Sequence, residues 1–196
     1  MGVKYVIIRV MNYEDYIWDL GGTLLDNYET STQAFVETLA TYHLSGSHKA
    51  VYAKLKESTE AAVNYFAPFE SQFLNDYKLN EAMALSNPIW RAGAKEILKK
   101  IVEDGKRNFL VSHRDNQVLH LLEKAHLKQY FTEVVTANNG FARKPNPESI
   151  LYLKEKYHIH NALVIGDRPI DCQAGQAANF DTLLVDENKS LLEIVN

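Results

Sequence analysis

Strand and helix patterns alternate along the second half of the chain, and this alternation constrains the fold more than any other feature. In AGAKEILKKIVEDG, the residues Ile97, Leu98 and Ile101 recur at helical spacing, and Gly105 ends the pattern. Each of four predicted helices is followed by a short apolar run that reads as a strand: RNFLVS, EVVTA, NALVIGD and DTLLVD. Strands separated by helices pair in parallel, with the helices covering the sheet. The sequence therefore predicts an α/β protein with a Rossmann-like parallel sheet.

Capping residues predict where two of these helices begin. Asp115 is a candidate N-cap for the helix in DNQVLHLLEKAHL. In NPESILYLKEKY, Asn146 is the candidate cap and Pro147 would occupy the first helical position.

The segment 28–87 carries helical patterns and no confident strand. Its aromatic residues are expected to pack between small helices, since apolar stripes at helical spacing are usually core. They include Tyr52, Tyr65, Phe66, Phe69, Phe73 and Tyr77. We predict an all-helical cap over 28–87, inserted after the first core strand. Residues 1–27 and 88–196 would then form the core, with Pro88 marking the return to it.

Composition excludes several classes of protein. A length of 196 residues with 46% apolar residues suits one domain with a sizeable core, or one domain carrying a small insertion. The net charge of −4 argues against a nucleic-acid or anionic-membrane partner. Cys172 is the sole cysteine, so no internal disulfide is possible and we expect a cytoplasmic protein. Residues 1–10 do not resemble a signal peptide and would be a peripheral strand or an upstream extension.

Polar side chains stand at or near the ends of four predicted strands. They are Asp19 in YIWDLGGT, Ser112 in FLVSHRD, Lys144 in FARKPNPES, and Asp167 with Asp171 in LVIGDRPID. Parallel sheets gather their ligands at the carboxyl ends of the strands, so these side chains are expected to share one site.

The residue types in this set favour phosphoryl transfer to a carboxylate. Asp19 could act as a nucleophile or a metal ligand, while Asp167 and Asp171 could complete an oxygen site that suits Mg²⁺. Lys144 could neutralise charge on the nucleophile and on a phosphoryl group. Ser112 and backbone N–H groups of the following turn could bind phosphate oxygens.

These motifs resemble the haloacid dehalogenase superfamily, in its phosphatase branch with a helical cap after the first motif. The similarity is greatest to phosphoglycolate phosphatase-like members and extends from Tyr16 to about Val185. The family's first motif is Asp-x-Asp-Gly-Thr, and DLGGT supplies Asp19, Gly22 and Thr23.

The remaining family motifs follow in order. Ser112 matches the second motif, and Lys144, followed by PNP, matches the third. The acidic fourth motif is GDRPID, which contains Asp167 and Asp171.

The resemblance implies a Mg²⁺-dependent phosphatase that forms an aspartyl-phosphate on Asp19. Its catalytic residues would be Asp19, Ser112 and Lys144, and its substrate would be a small phosphorylated metabolite rather than nucleic acid or membrane. The implied substrate-binding residues are Ser112, His113, Lys144 and Gly22. The implied metal ligands are Asp19, the Gly21 carbonyl and Asp167, supported by Asp171.

Gly21 departs from the family pattern. Phosphatases of the family have a second Asp there, which protonates the leaving oxygen and then activates water. Such acid–base help contributes roughly 10²–10⁴-fold to the rate. Metal binding should survive, because position 21 contributes its backbone carbonyl to the metal rather than a side chain. Phosphate binding should survive too, but turnover of alkyl phosphates should be weak.

Three functional hypotheses follow. The first is a phosphatase in which another group replaces the missing acid; the candidates are His43, His48, Glu60 and His113. The second is a catalytically impaired protein that binds a phosphorylated ligand or a partner.

The third is a phosphonate-cleaving hydrolase. Such relatives have a small residue at the Gly21 position and use a cap lysine, for which Lys49, Lys54 and Lys56 are candidates. Dehalogenating relatives also lack the second Asp, but they do not need the metal-binding form of GDRPID.

Overall fold

The computed structural model describes residues 13–86, 89–186 and 189–195, and the chain divides into two compact units. The first unit contains the chain up to Leu24 and from Arg91 onward, and the second is Leu25–Trp90. The expectations for residues 1–10 and for Pro88 fall outside the described residues.

The secondary-structure elements follow the predicted alternation. The strands are β1 (Asp15–Trp18), β2 (Arg107–Val111), β3 (Phe131–Val135), β4 (Ala162–Gly166) and β5 (Asp181–Leu184). The α-helices are α1 (Asn27–Thr41), α2 (His48–Glu57), α3 (Thr59–Phe66), α4 (Phe73–Ala84), α5 (Ala94–Glu103), α6 (Gln117–Lys124), α7 (Glu148–Tyr157), α8 (Pro169–Ala177) and α9 (Leu191–Val195). Within the described part of the chain, none of these helices combines the length and apolar character needed to span a membrane.

The strands form a five-stranded parallel sheet in the order β3-β2-β1-β4-β5, which confirms the predicted α/β fold class. In the centre of the sheet, Ile17 of β1 is in register with Phe109 of β2 and Val164 of β4. The chain adds strands on one side of β1 and then on the other. The strand order therefore reverses between β1 and β4, and the crevice at such a reversal is where open α/β sheets bind ligands.

Apolar residues from strands and helices form a buried core in the first unit. Its members are Ile17, Phe109, Val111, Val135, Ile150, Leu153, Ile159, Ala162, Val164, Ala174, Ala178 and Phe180. The helix α5 buries Ala94, Ile97, Leu98 and Ile101, so its predicted apolar face is the one that packs inward.

The two predicted helix starts are shifted along the chain. The helix α6 begins at Gln117, two residues after Asp115, and α7 begins at Glu148 rather than at Pro147. The reason is the same at both sites. The Asp115 carboxylate accepts the N–H of Gln117, and the Asn146 side chain accepts the N–H of Glu148, each at 2.9 Å. An Asp or Asn side chain that bonds two residues ahead forms a turn before the helix.

The second unit consists of α1, α2, α3 and α4. Phe35 lies at its centre, with its ring 4.9 Å from the rings of both Phe73 and Tyr77. The expectation that the aromatic residues pack between helices is wrong for Phe69 and Tyr65, which are 94% and 66% exposed. Phe69 precedes α4 in a turn, so helical spacing does not direct its side chain inward.

Backbone pairing closes the second unit at its two ends. Leu25 and Trp90 form an antiparallel bridge, and the N–H of Asp26 donates to the carbonyl of Ile89 at 2.9 Å. These contacts place the limits of the unit three residues outside the expected 28–87 at each end.

Candidate active site

Polar side chains gather at the carboxyl edge of the sheet in the first unit. Asp19 follows β1, Ser112 follows β2 and Asp167 follows β4. Lys144 lies in the loop before α7, and Asp171 lies in the first turn of α8. The sheet order puts β1 between β2 and β4, so three separate stretches of sequence supply one edge.

Lys144 joins two of the carboxylates directly. Its Nζ lies 2.5 Å from Oδ1 of Asp19 and 2.6 Å from Oδ1 of Asp171, and it also donates to the carbonyl of Val111 at 3.2 Å. All three charged side chains are buried. A buried carboxylate pair would repel, so the ammonium group between them is what makes their proximity tolerable.

Burial and charge set the ionisation of this trio. Burial raises the pKa of Asp19 above its usual range, although Lys144 opposes the rise. Burial acts to lower the pKa of Lys144, but Asp19 and Asp171 together raise it, so the ammonium form is retained. The result is a fixed positive charge beside the predicted nucleophile.

The carboxylates of Asp19, Asp167 and Asp171 fit a hard metal ion. One oxygen from each lies within 4.8 Å of the others. Three carboxylate oxygens suit Mg²⁺, which binds through carboxylates and keeps several waters. In Asp171, however, Oδ1 faces Lys144 and Oδ2 accepts the N–H of Arg168 at 3.1 Å. The expected fourth ligand, Gly21, lies on the loop that starts at Asp19.

Gly166, at the end of β4, is a site residue that sequence reasoning did not identify. A Cβ at this position would lie 2.2 Å from the Cβ of Asp171 and 2.6 Å from its Oδ2. Only a residue without a side chain permits this approach. The signal was present in GDRPID, where a glycine precedes the acidic residues, but no spacing rule links it to Asp171.

His113 contacts the Lys144 loop through its ring. Its Nε2 accepts the backbone N–H of Lys144 at 2.8 Å. Burial, together with Lys144, Arg143 and Arg168, lowers the pKa of His113 to about 4. The ring is therefore neutral at physiological pH, which argues against the expectation that His113 replaces the missing acid.

Ser112 lies beside the same loop. Its N–H donates to the carbonyl of Val135 at 2.9 Å, and this bond continues the pairing of β2 with β3 by one residue. Its Oγ accepts the N–H of Arg114 at 3.2 Å. The hydroxyl can still donate its proton to a ligand. Gly22, in the loop after β1, has a φ of +84°, a conformation that favours glycine.

The other candidate acids lie in the second unit and have local roles. His43 lies two residues after α1 in the left-handed region, at φ +57°. His48 pairs with Glu29 at 2.9 Å. Glu60 is exposed in the first turn of α3, where a carboxylate favours the helix N-terminus.

The candidate lysines of the second unit also have partners or are exposed. Lys54 pairs with Glu57 at 2.9 Å, and the Nζ of Lys56 lies 5.4 Å from the ring centre of Tyr28. Lys49 is exposed on α2.

Comparison with known proteins places the chain in a family. Residues 16–185 match the family model described as Haloacid dehalogenase-like hydrolase. The chain belongs to this family. The match covers most of the described sheet and all four motif positions, so the resemblance drawn from the motifs is confirmed.

Several relatives of this haloacid dehalogenase-like hydrolase are known. A crystal structure of a hydrolase from Streptococcus pneumoniae is 58% identical, with a TM-score of 0.78, and the match covers 92% of this chain and 95% of that one. A phosphoglycolate phosphatase of Photobacterium profundum is 27% identical over 82% of this chain and 78% of its own length. The pyrophosphatase PpaX of Oceanobacillus iheyensis is 23% identical over 89% and 84%.

Proposed function

We propose that this hydrolase is a Mg²⁺-dependent phosphatase that acts on a small phosphorylated metabolite through an aspartyl-phosphate on Asp19. The observation that carries the proposal is the position of Lys144, 2.5 Å from Asp19 and 2.6 Å from Asp171, with Asp167 close enough to share a metal ion. Nothing in folding demands buried like charges at one spot, whereas phosphoryl transfer uses carboxylates and cations placed around the transferred group.

The first chemical step transfers the phosphoryl group to Asp19. Lys144 binds Oδ1 of Asp19, which leaves Oδ2 to attack phosphorus. The new Oδ2–P bond forms as the bond from phosphorus to the leaving oxygen breaks, and the leaving group departs with the electron pair. The hydroxyl of Ser112 donates a hydrogen bond to a phosphoryl oxygen, while Lys144 offsets the negative charge on the transferred phosphoryl group. Mg²⁺ held by Asp19, Asp167 and the Gly21 carbonyl would neutralise further negative charge there.

The second step returns the enzyme to its starting form. A water oxygen bonds to phosphorus as the Oδ2–P bond breaks, the electron pair returns to the Asp19 carboxylate, and both water protons leave on the released dihydrogen phosphate. Asp171 remains bonded to Lys144 and Arg168, so we assign it to holding Lys144 in place as well as to supporting the metal.

Gly21 restricts which substrates this site can turn over. No side chain at that position can protonate a leaving oxygen, and His113 uses Nε2 to accept a backbone N–H. Substrates whose leaving group departs as a stable anion need no such proton in the first step, although the second step still lacks the base that the family's Asp supplies to water. Aryl phosphates, acyl phosphates and phosphoanhydrides belong to this class, and the relative PpaX is named as a pyrophosphatase.

A catalytically impaired binding protein is the second candidate, and Gly21 is the observation that favours it. It shares the metal and phosphate contacts of the first candidate and differs only in turnover. The phosphonate-cleaving hypothesis has less support. It needs an amine able to form a Schiff base, whereas Lys54 is paired with Glu57 and Lys56 lies over an aromatic ring.

Asp19→Asn tests the proposed nucleophile. With Mg²⁺ and p-nitrophenyl phosphate, we expect activity to fall by at least about 10³-fold, because an amide cannot form the covalent intermediate. Asp181→Asn is the matched control, since Asp181 is exposed at the amino end of β5 and should retain full activity. Full Mg²⁺-dependent activity in Asp19→Asn would exclude this mechanism.

Gly21→Asp, assayed beside the natural chain on a panel of phosphorylated metabolites, separates the candidates. A restored acid and base should raise turnover of alkyl phosphates by about 10²-fold and turnover of aryl phosphates by less. Equal or lower rates on both would mean that the site has specialised around glycine. Mg²⁺-dependent phosphate binding without turnover of any substrate would favour the binding protein, and cleavage of phosphonoacetaldehyde would favour the third hypothesis.

A further inference from the structure

Arg91 is a buried cation next to the loop that carries the predicted nucleophile. The residue is 8% exposed. Its NH1 donates to the carbonyl of Gly22 at 3.1 Å. Its NH2 donates to the carbonyl of Lys189 at 3.1 Å and also to that of Asp186. One guanidinium group therefore ties the loop after β1 to the segment after β5.

The backbone around Arg91 strengthens the same connection. The N–H of Arg91 donates to the carbonyl of Leu24 at 2.9 Å. The next residue, Ala92, accepts the N–H of Leu191 at 3.0 Å and the hydroxyl of Ser190 at 3.1 Å. Arg91 is thus held from both sides, and its side chain is a fixed support rather than a mobile surface group.

Several backbone bonds hold the loop from Asp19 to Leu24, and among them the N–H of Asp19 donates to the carbonyl of Ile165 at 2.8 Å. The N–H of Leu24 donates to Leu20 at 2.9 Å, and that of Thr23 donates to the same carbonyl at a long 3.4 Å. Gly21 and Gly22 lie between these bonds, and adjacent glycines have more conformational freedom than any other pair. A rigid, planar donor on the Gly22 carbonyl removes much of that freedom.

We propose that Arg91 is a positioning residue of the active site. By fixing the Gly22 carbonyl, it sets the orientation of the Gly22–Thr23 peptide, and this limits the positions open to the preceding Gly21–Gly22 peptide, which carries the Gly21 carbonyl. Its role follows from the glycine pair, because two adjacent residues without side chains are ordered through contacts to their backbone. The catalytic part of this inference rests on the proposed function, whereas the structural part does not.

Hydrogen exchange of a peptide that spans residues 19–24 tests the structural part. Arg91→Lys keeps the charge but loses the planar fork, and we expect faster exchange in this peptide than in the natural chain. Arg107→Lys is the matched control. Arg107 makes a two-pronged pair with the buried Asp15, at 2.6 and 2.8 Å, at the amino ends of β1 and β2. It should leave exchange at 19–24 unchanged.

Kinetics with Mg²⁺ and p-nitrophenyl phosphate test the catalytic part. In Arg91→Ala, kcat should fall by about 10–100-fold with little change in KM, since a misplaced reacting group costs rate rather than binding. Added guanidinium at millimolar concentration should restore part of the loss in Arg91→Ala and should leave the rate of Arg107→Lys unchanged.

Two outcomes would overturn the inference. One is equal exchange at 19–24 in Arg91→Lys and Arg107→Lys. The other is a loss of kcat in Arg91→Ala that only follows lost stability and does not respond to guanidinium. If the natural chain shows no turnover, the proposed function fails, and the exchange comparison still decides whether Arg91 holds the loop.

Discussion

A single ammonium group, that of Lys144, lies between two buried carboxylates, and this arrangement defines the site at the scale of residues. Asp19 and Asp171 would repel without it, and Lys144 would resist burial without them. The backbone of Lys144 is fixed as well, because its N–H donates to His113. The charge and the backbone of one residue are therefore held by separate partners, which keeps the nucleophile's neighbour in place.

The pH dependence of stability should contain a contribution from His113. Lys144, Arg143 and Arg168 face this ring and act with burial to lower its pKa to about 4, whereas Asp171 opposes them. The unfolded chain binds a proton at this histidine below about pH 6.5, and the folded chain does so only near pH 4. Stability therefore decreases as the pH falls through this interval.

Urea unfolding of His113→Gln above pH 6.5 and near pH 4 measures this contribution. The amide oxygen of glutamine can still accept the Lys144 N–H but does not titrate, so the variant should lose less stability on acidification than the natural chain. His120→Gln, exposed on α6, should retain the natural acid sensitivity. Identical acid profiles for all three proteins would contradict a depressed pKa at His113.

At the scale of secondary-structure elements, packing against neighbouring elements determines which side chains are buried and how closely they approach, because the local sequence pattern does not. The turn from β4 into α8 is sterically possible because Gly166 lacks a side chain, which lets Asp171 approach the end of the strand. In the second unit, α1 contacts both α2 and α4, and Phe35 of α1 is the aromatic residue around which the others arrange. Phe69 shares the residue type of Phe35 but stands in solvent, outside any helix.

Phe35→Ala and Phe69→Ala should therefore differ widely in stability. Loss of a fully buried phenylalanine ring costs about 3–5 kcal/mol, and loss of an exposed one changes stability by about 0.5 kcal/mol or less. Urea unfolding, together with hydrogen exchange in α1 and α4, measures the difference. Similar losses in both variants would mean that the second unit does not depend on its aromatic core.

At the scale of the whole molecule, the candidate site belongs to one of the two units. Every residue assigned to it lies in the first unit, which the chain leaves after Leu24 and re-enters at Arg91. Asp19, Asp167 and Asp171 each have a carboxylate oxygen within 4.8 Å of the others, and Lys144 pairs with two of them, so a divalent cation would offset the mutual repulsion of these carboxylates. Metal binding should accordingly stabilise the folded chain.

Mg²⁺ should raise the melting temperature. At a concentration ten times its dissociation constant, a ligand adds about 1.4 kcal/mol, which corresponds to roughly 3–6 °C for a chain of this size. Asp167→Asn should abolish the shift and Asp181→Asn should retain it, with sodium chloride of equal ionic strength as the salt control. A shift that sodium chloride reproduces, or that persists in Asp167→Asn, would show that this cluster is not the metal site.

The α/β class, the parallel pairing and the position of the polar residues at strand ends were all predictable from the sequence. These features depend on periodicity and capping within about 10–15 residues, which the chain displays directly. Even here the helix starts moved, because Asp115 and Asn146 form turns before the helices that they were expected to cap.

Which polar groups contact one another follows from the folded chain and not from any local pattern. The bond from Lys144 to Asp19 joins residues 125 apart in sequence, and that from Arg91 to Gly22 joins residues 69 apart. The neutral state of His113 likewise depends on charges brought together from other segments. Such contacts produce no pattern in the neighbouring sequence, because they form only when elements far apart in the chain pack together in the complete fold.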